Sequence, residues 1–211
     1  MIAIAVVDYG AGNLTSVLKG LRAAGASPRV TADAADVTRA PAIVIPGVGH
    51  FGATAAISAD LRAALLGAAA EGTPILGICL GLQFLFEGST EAPGVPGLGL
   101  LGGECALLPN ANGVKVPHVG WNNLSRRGVS RLMSDVGEGA QVYFTHSYAA
   151  PVTTATTATC EHGATFAAVV EQERIFGVEF HPEKSAEAGL RILRAFVQIA
   201  RSPDRPITRS C

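Results

Sequence analysis

The first half of the chain alternates short apolar runs with amphipathic segments, a pattern typical of a parallel β-sheet wrapped by crossover helices. Residues 2–7 form an almost continuous apolar run, as expected of a strand buried on both faces. Asn13 then offers a helix N-cap, and apolar residues after it recur at helical spacing as far as Leu21, before Gly25 ends the helix. The pattern predicts an α/β fold with a central, mostly parallel or mixed sheet flanked by helices.

The rest of the sequence continues this pattern and then changes character. Further strands are predicted at 27–31, 42–45, 74–78 and 175–180, and helices at 51–70, 80–87 and 186–201. Residues 88–103 are rich in Gly and Pro and are predicted to be loop. Threonine, valine and aromatic residues around 142–144 and 165–171 favour antiparallel or mixed strands. Because no linker interrupts the pattern, we predict a single domain over 1–201, followed by a frayed tail at 202–211.

The composition of the chain excludes several classes of protein. With 48% hydrophobic and 16% charged residues over 211 positions, the chain can bury a sizeable core. The formal net charge of −1 provides no basic field for nucleic acid or an anionic membrane surface. No run approaches the ~20 apolar residues of a spanning helix. The first residues reach Asp8 without a basic region, so we expect a cytoplasmic protein without a signal peptide.

The cysteines differ in what their surroundings indicate. The four, at positions 79, 105, 160 and 211, form no Cys-x-x-Cys pair, so neither a disulfide framework nor a zinc site is indicated, and we expect no metal or other cofactor. Cys105, Cys160 and Cys211 are interpreted as structural or incidental. Cys79 lies between two glycines directly after the apolar run 74–78, which is the layout of a nucleophile elbow. A cysteine there sits at a helix N-terminus, which favours a thiolate, whereas the competing interpretation is a buried, inert thiol.

A thiolate nucleophile for acyl transfer needs an acid or base, and that group needs a partner that orients it. His181 and Glu183 lie on either side of Pro182 after the predicted strand 175–180, and alternate residues of an extended segment point the same way. Glu183 is therefore expected to orient the imidazole, either through such an extended segment or through a turn. Cys79 and His181 would then both follow sheet strands at their carboxyl ends, the edge where sites of open α/β sheets lie. Taken in isolation, His181, Pro182 and Glu183 are also compatible with a surface turn.

An oxyanion hole is the third requirement of such a site. One donor is the backbone N–H of Leu80, directly after the candidate nucleophile. Another would come from Gly47, Val48 and Gly49, because two glycines after a strand can turn a backbone N–H toward the site, although they are also ordinary turn residues. Two other interpretations stay open from the residues: a non-catalytic flavodoxin-like binding module, and a cysteine esterase of the α/β-hydrolase type, a fold that places its acid well before the histidine.

Taken together, the motifs resemble a known family. Cys79 within Gly-Ile-Cys-Leu-Gly-Leu-Gln, followed by His181, Pro182 and Glu183, resembles the class I (triad) glutamine amidotransferases. More narrowly, the sequence is similar to the glutaminase subunits of imidazole glycerol phosphate synthases, with a glutaminase subunit of a different synthase as the alternative. The blocks that carry the narrower resemblance are DYGAGN at 8–13, PGVG at 46–49, PHVGWN at 117–122, HSY at 146–148 and FHPEKS at 180–185.

The resemblance implies a flavodoxin-like class I amidotransferase fold and a subunit that hydrolyses glutamine and passes ammonia to a separate (β/α)8-barrel synthase subunit, as a heterodimer. That partner forms imidazole glycerol phosphate and an aminoimidazole carboxamide ribotide in histidine biosynthesis. By resemblance, Cys79 is the nucleophile, His181 the acid and base, and Glu183 the residue that orients the imidazole. The residues implied to bind glutamine or the oxyanion are Gly47, Val48, Gly49, Leu80, Gln83, His146, Ser147 and Tyr148, and those implied to face the partner are Asn13, Trp121 and Lys184.

Some of these positions have simpler interpretations or depart from the family pattern. A sole tryptophan such as Trp121 is commonly part of the core, and Lys184 is commonly a solvated surface charge. The departures are Leu82, Glu179 and Ala149, where methionine, glutamine and a second aromatic residue are common in the family. None of the three departures touches the triad, whereas Ala149 lies at the edge of the implied glutamine pocket.

Overall fold

The computed structural model describes residues 1–110 and 113–202. Within these residues the β-strands are β1 (Ile2–Val7), β2 (Ala26–Thr31), β3 (Ile43–Ile45), β4 (Ile75–Ile78), β5 (Gly88–Ser89), β6 (Glu104–Leu107), β7 (His118–Asn123), β8 (Ser125–Arg126), β9 (Gln141–His146), β10 (Tyr148–Ala149), β11 (Thr156–His162), β12 (Ala164–Gln172) and β13 (Ile175–Val178). The α-helices are α1 (Leu14–Ala23), α2 (Ala34–Thr38), α3 (Ala59–Ala70), α4 (Leu80–Leu85) and α5 (Ala186–Arg201). Phe51–Ala56 and Pro182–Lys184 are 3-10 helices.

The central sheet has the strand order β2-β1-β3-β4-β13-β12-β11-β8. Its first five strands are parallel neighbours, whereas β12, β11 and β8 are attached in antiparallel fashion. Two smaller sheets, β10-β6-β5 and β7-β9, lie beside it. The predicted α/β fold, with a central parallel to mixed sheet and flanking helices, is confirmed.

The sheet separates two hydrophobic cores, and β1 contributes to both. Ile4 and Val6 pack with Val17 and Leu21 of α1 and with apolar residues of α5. Ala5 and Val7 belong to the opposite core, which includes residues of α3 and α4. Because alternate side chains of a strand point to opposite faces, a strand covered on both faces must be apolar at nearly every position. The continuous apolar run at 2–7 has this cause.

Several element boundaries differ from the predictions. The single helix predicted over 51–70 is wrong, since the segment is divided at Ile57 and Ser58, and the hydroxyl of Ser58 accepts a hydrogen bond from Leu61 N at 3.2 Å as the N-cap of α3. The helix predicted at 80–87 ends at Leu85, and β5 lies within the segment predicted to be loop. The helix α2 and the strands β7 and β11 were not among the predicted elements. Beyond Ser202, the tail predicted at 202–211 lies outside the described residues.

Among residues 1–110 and 113–202, no helix combines the length and the apolar composition that crossing a membrane requires.

The pairing of β4 with β13 positions the candidate site. The two strands are parallel and in register, with Ile78 opposite Val178, so the residues that follow them leave the same edge of the sheet. A backbone hydrogen bond of 2.8 Å from Cys79 N to Val178 O extends this pairing by one residue. Cys79 and the segment containing His181 therefore emerge side by side at the carboxyl edge of the sheet.

Candidate active site

Cys79 occupies a sharp turn between β4 and α4. Its φ of 52° and ψ of −112° lie outside the regions that L residues ordinarily adopt, so the surrounding structure holds it in a strained conformation. The turn requires close packing of backbone on both sides, because a Cβ on Gly81 would overlap the carbonyl oxygen of Ile45 and a Cβ on Gly77 would press against the backbone of Gly81. The predicted strand–turn–helix arrangement around Cys79 is confirmed.

The thiol of Cys79 is enclosed, with 4% of the residue exposed. Burial raises its pKa well above the usual range and the charge of Glu179 raises this pKa further, whereas the backbone N–H of Leu80 lowers it; Glu183 and Lys184 have smaller, opposing effects. The N–H at the start of α4 therefore favours the thiolate, as expected, but burial opposes it more strongly and keeps the thiol protonated in the free chain.

His181 and Glu183 form a buried pair. Nδ1 of His181 lies 2.8 Å from Oε1 of Glu183, and both side chains are 2% exposed. The main chain of His181 is also held by two hydrogen bonds: His181 N donates to Tyr143 O at 2.9 Å, and the hydroxyl of Ser185 donates to His181 O at 2.7 Å. Nε2 of His181 is buried and has no hydrogen-bond partner among the described residues. The imidazole is thus oriented at one nitrogen and left open at the other.

A cavity of about 290 Å³ opens at this edge of the sheet. Its lining residues are Val48, Gly49, Cys79, Leu80, Gln83, Glu91, Pro117, Thr145, His146, Ser147 and Tyr148. Eight of the predicted site residues are in this lining, whereas Gly47, His181 and Glu183 are not. Gly47 packs behind the wall, where a Cβ would overlap the hydroxyl of Tyr9. The wall of the cavity therefore joins the candidate nucleophile to the loop after β3 and to the segment between β9 and β10.

Glu91 is a cavity residue that the sequence analysis missed. Its Oε2 accepts a hydrogen bond of 2.6 Å from Phe51 N, which ties the segment after β5 to the 3-10 helix after the loop 46–49. Its Oε1 has no hydrogen-bond partner within residues 1–110 and 113–202, so this oxygen is available to a ligand in the cavity. Glu91 lies in the Gly- and Pro-rich stretch predicted to be loop, where neither periodicity nor a motif marks this acidic residue as part of a site.

The side-chain amide of Gln83 has a defined orientation. Its nitrogen donates to Tyr148 O at 2.9 Å and to Oε1 of Glu179 at 2.7 Å. Tyr148 O is a carbonyl oxygen and can only accept, so the amide nitrogen must face it, and both amide hydrogens are engaged by the two acceptors. The carbonyl oxygen of Gln83 is consequently the atom that the side chain can offer to a ligand.

His146 belongs to a short row of hydrogen bonds that begins at Asn122. Nδ1 of His146 lies 2.9 Å from Tyr148 O, a carbonyl, so this nitrogen is the donor. Its Nε2 therefore accepts from Nδ1 of His118 at 3.0 Å, and Nε2 of His118 accepts from the amide of Asn122 at 3.2 Å. Burial lowers the pKa of His118 to about 3 and that of His146 to about 4, which keeps both rings neutral. The ring nitrogens of His146 are thus engaged with the protein.

The three residues predicted to face a partner are all exposed. Asn13 is the N-cap of α1, with Oδ1 accepting from Ser16 N at 3.3 Å. Trp121 is 52% exposed, so its interpretation as a core residue is wrong. The ring of Tyr143 lies near both Trp121 and Lys184. Its centroid is 6.1 Å from that of the Trp121 ring, in an edge-to-face arrangement, and 5.7 Å from Nζ of Lys184. We call Trp121, Tyr143 and Lys184 the aromatic–lysine cluster; Asn13 is not part of it.

Comparisons with known proteins agree with this geometry. The family model for glutamine amidotransferase class-I matches residues 5–199. The chain is 45% identical over 197 residues to imidazole glycerol phosphate synthase subunit HisH of Deinococcus radiodurans, covering 92% of each chain. It is 46% identical over 200 residues to the subunit of the same name from Methanothermobacter thermautotrophicus, covering 94% of this chain and 100% of that one.

Solved structures share the fold at lower sequence identity. The structure of PurLQS from Thermotoga maritima superposes with a TM-score of 0.71 at 22% identity, covering 94% of this chain and 99% of that one. A crystal structure titled glutamine amidotransferase superposes with a TM-score of 0.72 at 17% identity, covering 93% and 98%. The family match and the relatives lead to the same assignment: the chain belongs to the class-I glutamine amidotransferase family and, within it, to the HisH subunits of imidazole glycerol phosphate synthase.

Proposed function

We propose that this glutaminase hydrolyses glutamine through Cys79, His181 and Glu183 and delivers the ammonia to a (β/α)8-barrel synthase subunit bound as a heterodimer. The partner would use the ammonia to form imidazole glycerol phosphate and aminoimidazole carboxamide ribotide in histidine biosynthesis. The observation that carries the proposal is the juxtaposition of two features at one sheet edge: a strained, cavity-lining cysteine and a buried imidazole that is oriented by a carboxylate.

The chemistry begins with the thiol of Cys79 in its protonated form. As Sγ attacks the side-chain carbonyl carbon of glutamine, its proton passes to Nε2 of His181, and the imidazolium is stabilised by Glu183. His181 then returns the proton to the amide nitrogen, the C–N bond breaks, and ammonia leaves behind a glutamyl thioester. A water molecule, deprotonated by the same nitrogen, attacks the thioester and releases glutamate and the thiol.

The negative oxygen of each tetrahedral intermediate needs hydrogen-bond donors. The backbone N–H of Leu80, at the start of α4 and next to the thiol, is the first donor. Val48 and Gly49 face the same cavity, and Gly49 has a φ of +104°, a conformation that glycine adopts without strain. The segment 47–49 would supply the second donor. Loss of one such donor typically lowers the rate by about 10²–10³.

The polar groups of the cavity suit the amino-acid end of glutamine. The free carboxylate oxygen of Glu91 is placed to bind the α-ammonium group, and the oriented carbonyl oxygen of Gln83 accepts a further N–H. The segment containing Ser147 and Tyr148 would bind the α-carboxylate from the opposite wall. Both charged ends of the substrate backbone are then recognised without a metal ion taking part in the scheme.

A glutaminase that serves a synthase needs a direct route for its product. Ammonia released into neutral water takes up a proton and loses its nucleophilicity, so it must reach the second active site unprotonated. Tyr143 links the catalytic segment to the proposed partner surface. Its backbone oxygen accepts a hydrogen bond from His181 N at 2.9 Å, and its ring contacts Trp121 and Lys184. The surface proposed to bind the synthase is therefore directly attached to the segment that holds the imidazole.

The proposed function is tested by measuring glutamate release while the synthase subunit and its nucleotide ligand are titrated into the protein. We expect turnover to rise with added partner and to saturate at equimolar subunits. The absence of glutamate release at every partner concentration would contradict the proposal and favour the flavodoxin-like binding module. Saturation with the subunit of a different synthase instead would assign the glutaminase to that synthase.

Truncation of Trp121 is expected to weaken partner binding. Tryptophan is enriched at interface hot spots, Trp121 is half exposed, and its truncation is expected to cost about 2 kcal/mol, or about thirtyfold in Kd. Trp121→Ala and Lys184→Ala should both raise the Kd and lower glutamine-dependent synthesis, measured by titration calorimetry and coupled turnover. Val129→Ala, at a residue that is 96% exposed and outside the cluster, is the control. Wild-type affinity and turnover in both cluster variants would exclude this surface as the interface.

A further inference from the structure

Glu179 is a fully buried acidic residue one position after β13, two residues before His181. Its side chain is 0% exposed and lies behind the cavity rather than in its lining. Oε1 accepts from the amide nitrogen of Gln83 at 2.7 Å, and Oε2 accepts from Ala150 N at 3.3 Å. The carboxyl group therefore connects the end of the sheet to α4, which reaches the cavity, and to Ala150, directly after β10.

The groups that face Glu179 do not neutralise it. His146 is the nearest imidazole, with Nδ1 3.8 Å from Oε1, and it is neutral because burial lowers its pKa to about 4. Cys79 and Glu179 directly follow Ile78 and Val178, which are paired across the parallel strands β4 and β13, so the two buried residues are neighbours at the edge of the sheet. The charge of Glu179 acts on the thiol of Cys79 and, from β6, on that of Cys105; in each case it is the largest cause of a raised thiol pKa after burial. The carboxyl group is thus surrounded by an amide, a backbone N–H, a neutral ring and two thiols.

This environment makes the charge of Glu179 depend on pH near neutrality. Burial raises its pKa to about 8, although the hydrogen bonds from Gln83 and Ala150 lower it in part. The group is mostly protonated at pH 7 and ionises at moderately alkaline pH. The other charges acting on the Cys79 thiol are Glu183 and Lys184, which are adjacent in sequence and oppose each other.

We propose that Glu179 is a positioning residue of the glutaminase: its carboxyl group orients Gln83 toward the substrate, and its ionisation suppresses the Cys79 thiolate in alkaline solution. The proposal rests on the proposed role of Cys79 as the nucleophile and adds a residue that never touches glutamine. It has two separable parts, because a glutamine at position 179 keeps an acceptor for Gln83 without the charge, whereas a methionine of similar length keeps neither.

The electrostatic part is tested on the full chain without partner or substrate. The rate of Cys79 alkylation by iodoacetamide is followed between pH 6.5 and about 9.5 by mass spectrometry of the Cys79 peptide. Glu179→Gln should react at the wild-type rate near pH 7 and about three- to tenfold faster near pH 9, because only the ionised wild-type carboxyl group opposes the thiolate. The control is Glu104→Gln, which removes an exposed carboxylate of β6 that does not act on Cys79. Superimposable profiles for wild type and Glu179→Gln would overturn this part.

The orienting part is tested on the complex with the synthase subunit. Glu179→Met should raise the KM for glutamine at pH 7 by about fivefold or more, since Gln83 loses one of its two acceptors, whereas Glu179→Gln should leave KM within about twofold. Equal KM values in all three proteins would overturn the orienting role. Absence of glutamate release in the wild-type complex would instead contradict the proposed function, and the alkylation profiles, which need no turnover, would still decide the electrostatic part. If Glu179→Met does not fold, a KM for Glu179→Gln more than fivefold above wild type at pH 7 overturns the orienting role.

Discussion

The Cys79→Ala variant is expected to lose glutamine hydrolysis by a factor of about 10⁴ or more, because the thioester cannot form and the remaining groups provide only binding and oxyanion stabilisation. The fold should be retained, since alanine removes only the sulfur atom and places the same Cβ at the strained turn. Glutamate release in the presence of the synthase subunit and its ligand measures the loss. Product formation from added ammonium salt, assayed at alkaline pH, should continue in the mutant complex.

Ammonia-dependent synthesis is the control for the synthase subunit, because it needs no nucleophile at position 79 and shows that the partner in the mutant complex is active. Urea unfolding and binding titration check separately that the variant is folded and binds its partner. Full glutamine-dependent activity in Cys79→Ala would refute the assignment of the nucleophile.

Among the glycine-to-alanine substitutions in this chain, each of which adds one methyl group, Gly81→Ala is expected to cause the largest loss of stability. Its Cβ would overlap the carbonyl oxygen of Ile45, a backbone atom of the central sheet that cannot turn away. Overpacking of this kind costs about 3 kcal/mol, which lowers Tm by about 6–12 °C for a chain of this length. Urea unfolding and thermal unfolding measure the two quantities. Because α4 carries Leu80 and Gln83, glutaminase activity should fall as well.

Gly67→Ala is the matched control for that substitution. Gly67 is also helical, but it lies on the exposed face of α3, and a Cβ there meets nothing within 4 Å. The same change should therefore stabilise the protein by about 0.5–1 kcal/mol through the higher helix propensity of alanine. If Gly81→Ala were as stable as Gly67→Ala, the close packing of α4 on β3 would be incorrect.

Sequence periodicity was sufficient to predict the strands that are buried on both faces of the sheet, because such burial requires an apolar residue at nearly every position. The runs that became β1, β3 and β4 are apolar throughout because helices cover both sides of the sheet. The elbow at Cys79 followed from its flanking glycines, whose role is to allow backbone approach, a requirement that leaves a direct trace in the sequence. The contact of His181 with Glu183 depended on a spacing of two residues and was equally local, although it is made through the 3-10 helix Pro182–Lys184 and not through an extended segment.

The features that were missed depend on contacts between distant segments. The division of 51–70 into two helices arises because Phe51 is fully buried and Ser58 caps α3, whereas the Ala-rich sequence has no strong polar face to indicate the break. Glu91 reaches the cavity through a hydrogen bond to Phe51, 40 residues away. Burial raises the pKa of the Cys79 thiol, and the charge of Glu179, 100 positions further along the chain, raises it further. Local sequence contains no information about such neighbours.

The row of hydrogen bonds from Asn122 through His118 to His146 also limits how the protein responds to acid. Each imidazole donates toward the interior and accepts from the side nearer the surface, so reversing one tautomer would require reversing the next. With pKa values of about 3 and 4, neither ring gains a proton between about pH 5 and 8, the interval in which histidine side chains ordinarily titrate. Two of the five histidines therefore do not change charge over that interval. Their hydrogen bonds keep a fixed direction and connect β7 to the wall of the cavity.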